Sequence, residues 1–147
     1  MEFFKYSANG NDFLILENLD GKLPVGDVAL WQGLCQRRTG VGADGVLFLE
    51  SSESLDFHMR YLNADGNEVG MCGNGARAIT TFYSLTEREK TEFSFSTANS
   101  NYFAFFENDK AFVEMVELYD IEKVDLGDFT DLMSAKSYAY MNTGVPH

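Results

Sequence analysis

The stretch Gly75-Ala76-Arg77-Ala78-Ile79-Thr80-Thr81-Phe82-Tyr83 constrains the fold most. It reads as a helix that is apolar nearly all round, with Arg77 its one charge. A helix of that kind is buried in a core, so other elements must cover it. The chain has 147 residues, enough for one ordinary domain or two small ones with a real core. With 45 % hydrophobic residues, 13 Phe and 7 Tyr, it can offset its ordering entropy, which excludes a disordered chain.

The covering elements read mostly as strands. Phe3–Tyr6 and Phe13–Leu16 flank an Asn9-Gly10-Asn11-Asp12 turn. A helix is expected from about Val25 to Gln36, with Pro24 at its start. The loop Thr39–Gly45 feeds the apolar run Val46–Leu49, and Phe57–Leu62 is a further strand ending in an Asn63-Ala64-Asp65-Gly66 turn. Beyond the buried helix, Phe93 and Phe95, then Tyr102–Phe106, then Ala111–Val116 form a strand meander broken at Asn108-Asp109. Asp120–Ala135 is acidic and loosely patterned, as a linker or the start of another domain would be. The fold class is α+β, strand-rich, with one buried helix and one more exposed.

Charge and cysteine content narrow the function. Eleven Lys and Arg against 23 Asp and Glu leave a net charge of −12, which argues against a nucleic-acid partner. No apolar run approaches the roughly 20 residues of a membrane span, and the start Met1-Glu2-Phe3-Phe4-Lys5 lacks the pattern of a secretory signal. A cytoplasmic protein is expected. The two cysteines, Cys35 and Cys72, do not make a disulfide framework. Cys35 reads as a small buried hydrophobe on a helix. No metal site is expected, since His58 and His147 are far apart and no Cys or His pair has ligand spacing.

Two glycine loops invite a dinucleotide reading. Gly40-Val41-Gly42-Ala43-Asp44-Gly45 has its helix before and its strand after, the reverse of what a dinucleotide fingerprint needs. The loop around Cys72 opens a helix but lies a long turn away from the preceding strand. Chemistry at Cys72 is the stronger reading. The first N–H groups of a helix lack internal partners and carry partial positive charge, which favours a thiolate. Gly73 and Gly75 let a ligand approach the backbone, and the N–H groups of Gly73, Asn74 and Gly75 can hold a carboxylate. One segment thus offers a base and an anion anchor, suited to a carbon beside a carboxylate. Asn11, Asn63 and Asn74 are either turn residues or polar contacts to a zwitterionic ligand. A Cys-His hydrolase, with His58 or His147 as base, is the rival on local sequence.

The run Asn63-Ala64-Asp65-Gly66-Asn67-Glu68-Val69-Gly70-Met71-Cys72-Gly73-Asn74-Gly75-Ala76-Arg77 resembles the signature of diaminopimelate epimerases. Gly10–Phe13, Gly40–Gly45, Asp56–His58, Ser96–Asn99 and Asn142–His147 are similar to that family as well. Matching elements run from Phe3 to His147 but cover only the family's N-terminal half. The resemblance implies one of two pseudo-symmetric domains, a barrel-like sheet wrapped round a central helix. It implies domain 1 over residues 1–117 and the start of a second over 118–147. It also implies an epimerase that uses no pyridoxal phosphate or other cofactor. Such an enzyme interconverts LL- and meso-diaminopimelate in lysine and peptidoglycan precursor synthesis.

In that reading Cys72 is one of two catalytic cysteines, and His147 tunes the pair. Asn11, Asn63, Gly73 and Asn74 then bind the amino-acid end of diaminopimelate. Asn67, Ser100 and Val145 depart from the usual family residues at turn or contact positions. The second cysteine, in a later glycine loop, is not in these 147 residues, and Cys35 has no glycine loop to replace it. Inversion needs an acid and a base on opposite faces of one carbon, so the chain alone is expected to be inactive. The partners expected are the substrate and a C-terminal half, with a homodimer left open. A racemase for another amino acid, such as a proline-type substrate, and a non-catalytic amino-acid-binding fragment are the alternatives.

Overall fold

The computed structural model describes residues 1–87, 90–108, 110–115, 119–123 and 139–142. The chain divides into two compact units, Met1–Glu114 and Met115–His147. In the second, strands β9 (Tyr119–Lys123) and β10 (Ala139–Asn142) pair antiparallel. Most of the acidic stretch Asp120–Ala135 lies outside the described residues.

The first unit holds strands β1 (Phe4–Ala8), β2 (Asn11–Glu17), β3 (Gly45–Glu50), β4 (Phe57–Asn63) and β5 (Glu68–Val69). Strands β6 (Glu92–Ser96), β7 (Asn101–Glu107) and β8 (Lys110–Val113) complete it, with helices α1 (Val28–Cys35) and α2 (Gly73–Thr86). The strands form one mixed sheet in the order β1-β2-β3-β4-β6-β7-β8, with β5 beside β4. Two parallel joins, β2 to β3 through α1 and β4 to β6 through α2, step the same way across the sheet. They leave from oppositely directed strands, because β3 and β4 are antiparallel. The right-handed crossover rule therefore puts the helices on opposite faces.

Side-chain alternation agrees. Leu14, Leu16, Val46, Phe48 and Leu62 pack with Trp31 and Cys35 of α1. On the other face, the Phe82 ring of α2 meets Phe4 at a tilt and Tyr6 edge-on, and Leu47 lies against Gly75. With both faces covered, Phe13–Leu16 and Val46–Leu49 are buried without a break and read as continuous apolar runs.

Helix α2 touches β1, β2, β3, β4, β7 and β8, so the sheet curls round it as a half-barrel, the α+β fold expected. Among the described residues β1 pairs only with β2 and β8 only with β7. Between those two edges lies a cavity of about 480 Å³, lined by Tyr6, Asn9, Arg77, Thr81, Lys110 and Phe112 among others.

Two boundaries differ from expectation, each for a local reason. Helix α1 begins at Val28 and not near Val25, because the Asp27 carboxylate caps it by accepting the Leu30 N–H at 3.1 Å. Pro24 sits outside, its carbonyl accepting the Asp27 N–H at 2.9 Å. The β1–β2 turn is only Asn9-Gly10, both with positive φ (49° and 91°), so Asn11 and Asp12 belong to the strand. That geometry suits the two-residue turn favoured in hairpins. No helix among the described residues is long and apolar enough to cross a membrane.

Candidate active site

Register brings the candidate residues to one end of the sheet. β2 and β3 run parallel, with Phe13 opposite Gly45, and β4 returns to end at Asn63, also opposite Gly45. Helix α2 starts at the same end, since the Asn74 amide donates from Nδ2 to Asn11 Oδ1 at 2.8 Å. Asn11 and Asn74, 63 residues apart in sequence, are thus adjacent.

Cys72 is the N-cap of α2 and half-buried. Its backbone is extended (φ −142°, ψ 111°), its carbonyl accepts the Ala76 N–H at 2.8 Å, and its Sγ accepts the Gly75 N–H at 3.3 Å. The sulfur does the work that a serine or aspartate oxygen does at other helix starts. A Cβ on Gly75 would stand 3.1 Å from Leu47 Cδ2 and 3.5 Å from Cys72 Sγ. Glycine there lets the first turn close over the sheet without displacing the sulfur. Gly73 and Asn74, the first two helical residues, have N–H groups that cannot be satisfied within the helix.

A polar cluster lies behind the amides. Asn11 Nδ2 donates to Asp44 Oδ2 at 3.0 Å, and the Asp12 N–H donates to the same oxygen at 3.1 Å. Arg37 donates to both Asp12 oxygens (3.1 and 2.7 Å) and to Asp44 Oδ1 (2.6 Å). The Arg37 guanidinium, aided by Lys5, holds the Asp12 carboxyl far below the usual carboxylate range. The Asn11 amide, then the Asp12 N–H and Arg37, lower that of Asp44.

Carboxylates depressed in the folded state add stability above their ordinary 3.8, and lose it as pH falls through the depressed values. The thermal-midpoint gap between wild type and Arg37→Met is therefore expected to be constant from about pH 8 to about pH 5 and to narrow progressively below about pH 4. A gap as wide at about pH 2 as at about pH 7 would contradict the assignment.

The family profile of diaminopimelate epimerase matches residues 3–124, across this whole half-barrel. The chain belongs to the diaminopimelate epimerase family. It is 36 % identical to a diaminopimelate epimerase of Flavobacterium psychrophilum, covering 100 % of this chain and 54 % of that protein. One from Campylobacter jejuni is also 36 % identical, covering 100 % of this chain and 55 % of its own length. The chain thus spans about half the length of the curated relatives it matches. Solved structures agree on the fold. A phenazine biosynthesis protein of the PhzF family from Bacillus anthracis superimposes with a TM-score of 0.71 at 22 % identity, covering 99 % of this chain and 55 % of that one. A probable proline racemase from Agrobacterium radiobacter K84 does so with a TM-score of 0.58 at 12 % identity, covering 95 % and 48 %.

Within this epimerase-family half, Cys72, Gly73, Asn74 and Asn11 come together. Asn63 lies at the same end of the sheet, but its side chain is exposed and its backbone closes the following turn, its carbonyl accepting the Gly66 N–H at 2.8 Å. His147 lies outside the described residues. Cys35 is 3 % exposed on the α1 side, where burial and then Asp12 and Asp44 push its thiol up; it is a core residue.

His58 pairs its Nδ1 with Ser96 Oγ at 2.8 Å. It lies five residues back along β4 from Asn63, about 16 Å at strand rise. The base that a Cys-His hydrolase would draw from His58 is therefore at the wrong end of the strand.

Three neighbours escaped sequence reasoning. Asn9 donates from Nδ2 to Asn74 Oδ1 at 3.2 Å. Tyr61 is buried, and its phenol is raised above the usual tyrosine range by that burial first and by Cys72 second. A Cβ on Gly45 would fall 2.9 Å from the Tyr61 hydroxyl oxygen, so the glycine makes room for it. Asn99 rests on Gly70, where a Cβ would fall 1.7 Å from Asn99 Nδ2. Only the glycines signalled these close approaches, and a glycine does not name what approaches it.

Proposed function

We propose that this chain is one half of a pyridoxal-independent epimerase that interconverts LL- and meso-diaminopimelate. The observation that carries the reading is a cysteine capping the buried helix beside paired asparagine amides, in a chain of this family. The Cys72 thiolate takes the α-proton and becomes a thiol, and the electron pair stays on the carbon as a carbanion beside the carboxylate. A second cysteine thiol, on the opposite face, gives its proton to that carbon and is left as thiolate. The products are the inverted centre and the pair with its protonation exchanged.

The N–H groups of Gly73 and Asn74 at the helix start favour the carboxylate and the charge that develops on it. Asn11, Asn63 and Asn74 hold the amino-acid end. His147 tunes the cysteines, and the activity serves lysine and peptidoglycan precursor synthesis in the cytoplasm. The second cysteine comes from a C-terminal half such as the longer relatives carry.

The test is conversion of LL-diaminopimelate by this chain alone and by this chain joined to the C-terminal half of the Flavobacterium psychrophilum relative. Proline serves as a parallel substrate. The joined protein is expected to form the meso isomer and the chain alone is not. Turnover of proline and not diaminopimelate would favour another racemase, and turnover of neither would overturn the reading.

A further inference from the structure

The Gly40–Gly45 loop, rejected as a dinucleotide site, has a place in the candidate site through Asp44. The hydrogen bonds run in a line from Asp44 to Asn11, from Asn11 to Asn74, and from Asn74 to Arg77. A side-chain amide has a donor end and an acceptor end, so such a line can in principle run either way. Here its ends decide. Asp44, as a carboxylate, only accepts, so Asn11 must turn its NH₂ toward it, at 3.0 Å. Arg77 only donates, and its Nη1 reaches Asn74 Oδ1 at 3.2 Å. Between them, Asn74 Nδ2 donates to Asn11 Oδ1 at 2.8 Å, the one direction compatible with both ends. Arg37 holds Asp44 in turn, through Oδ1 at 2.6 Å.

We infer that Asp44 and Arg77 are positioning residues that fix the hydrogen-bond polarity of the Asn11–Asn74 pair and so determine which groups it offers to an amino-acid ligand. This rests on the reading of the site given under Proposed function. Counting valences, Asn74 Oδ1 is filled by Asn9 and Arg77. Among the described residues, each NH₂ keeps one N–H, and Asn11 Oδ1 keeps one lone pair. Two donors and one acceptor remain, the complement of a carboxylate and an ammonium on one carbon. Loss of the fixed polarity would let either amide turn an oxygen toward the carboxylate, a repulsive contact.

The test has one arm that needs no turnover. In the ¹⁵N-labelled 147-residue chain, the side-chain NH₂ groups of Asn11 and Asn74 are each expected to give one sharp pair of signals. Asp44→Asn, which can donate as well as accept, is expected to shift and broaden or double both pairs, with the Trp31 indole signal unmoved as the control for folding. Arg77→Gln does the same from the other end, and Arg77→Lys, which keeps a donor, restores the single set. Sharp, unshifted Asn11 and Asn74 signals in both Asp44→Asn and Arg77→Gln would overturn the proposal.

The second arm uses the joined protein. Asp44→Asn is expected to raise KM for diaminopimelate roughly tenfold, the scale of one hydrogen bond to a charged group, and to affect kcat less. Unchanged KM beside altered amide signals would overturn the positioning role. Absent turnover in the wild-type joined protein would instead count against the proposed reaction, with the amide signals still judging the polarity.

Discussion

Cys72→Ser in the joined protein is expected to lose α-proton exchange by roughly 10²–10⁴-fold, the scale of a general base removed, while the fold stays intact. The two roles of this residue separate by substitution. As N-cap, its Sγ takes the Gly75 N–H at 3.3 Å, and a serine oxygen can take the same bond. As base, a serine hydroxyl is far weaker than a thiolate. Cys72→Ala removes both roles, with a stability loss of about 1 kcal/mol for the missing cap. Thermal unfolding of the two variants beside wild type, with the exchange rate of each, checks this. A Cys72→Ser protein that unfolds much earlier than Cys72→Ala would contradict the cap, and one that keeps exchange would contradict the base.

Trp31→Ala is expected to be the most damaging core substitution on the α1 face. The ring is 0 % exposed and meets Phe48 edge-on at 4.9 Å, and its Nε1 donates to the Pro24 carbonyl at 2.9 Å. Truncating a buried tryptophan costs about 3–5 kcal/mol, a large part of the roughly 5–15 kcal/mol that holds a domain together. In a unit of this size that lowers the thermal midpoint by on the order of 10–20 °C. Trp31→Phe, which keeps the edge contact and loses the N–H, is expected to fall much less. A drop of only a few degrees for Trp31→Ala would mean that α1 contributes little to this face of the sheet.

The half-barrel was legible where local pattern and tertiary demand agree. Phe13–Leu16 and Val46–Leu49 read as strands because burial on both faces leaves no polar position to confuse the period. The apolar helix after Cys72 announced its own burial, and six strands of the sheet touch it. The Asn9–Asp12 turn signal marked the hairpin, although only Asn9 and Gly10, both at positive φ, make the turn.

Boundaries were harder. Pro24 looked like a helix start, but Asp27 outcompetes it by capping the Leu30 N–H. The two-residue strand Glu68–Val69 is too short to carry a period. At the site, Cys72, Gly73 and Asn74 were readable because they are contiguous, and Asn11 because its motif resembles the family's. Asp44, Asn9 and Tyr61 were not, since they reach the site only through the β2–β3–β4 register and the Asn9-Gly10 turn. Long-range register is decided by the packing of both faces at once, which no local window contains.

The most direct measurement is deuterium uptake at the α-carbon of LL-diaminopimelate in D₂O, by this chain joined to the C-terminal half of a relative. With Cys72 present, label is expected at that carbon in recovered substrate and in the meso product. With Cys72→Ser the label is expected to be lost. Label appearing at the wild-type rate in the Cys72→Ser protein would contradict the assignment of Cys72 as the group that moves the proton.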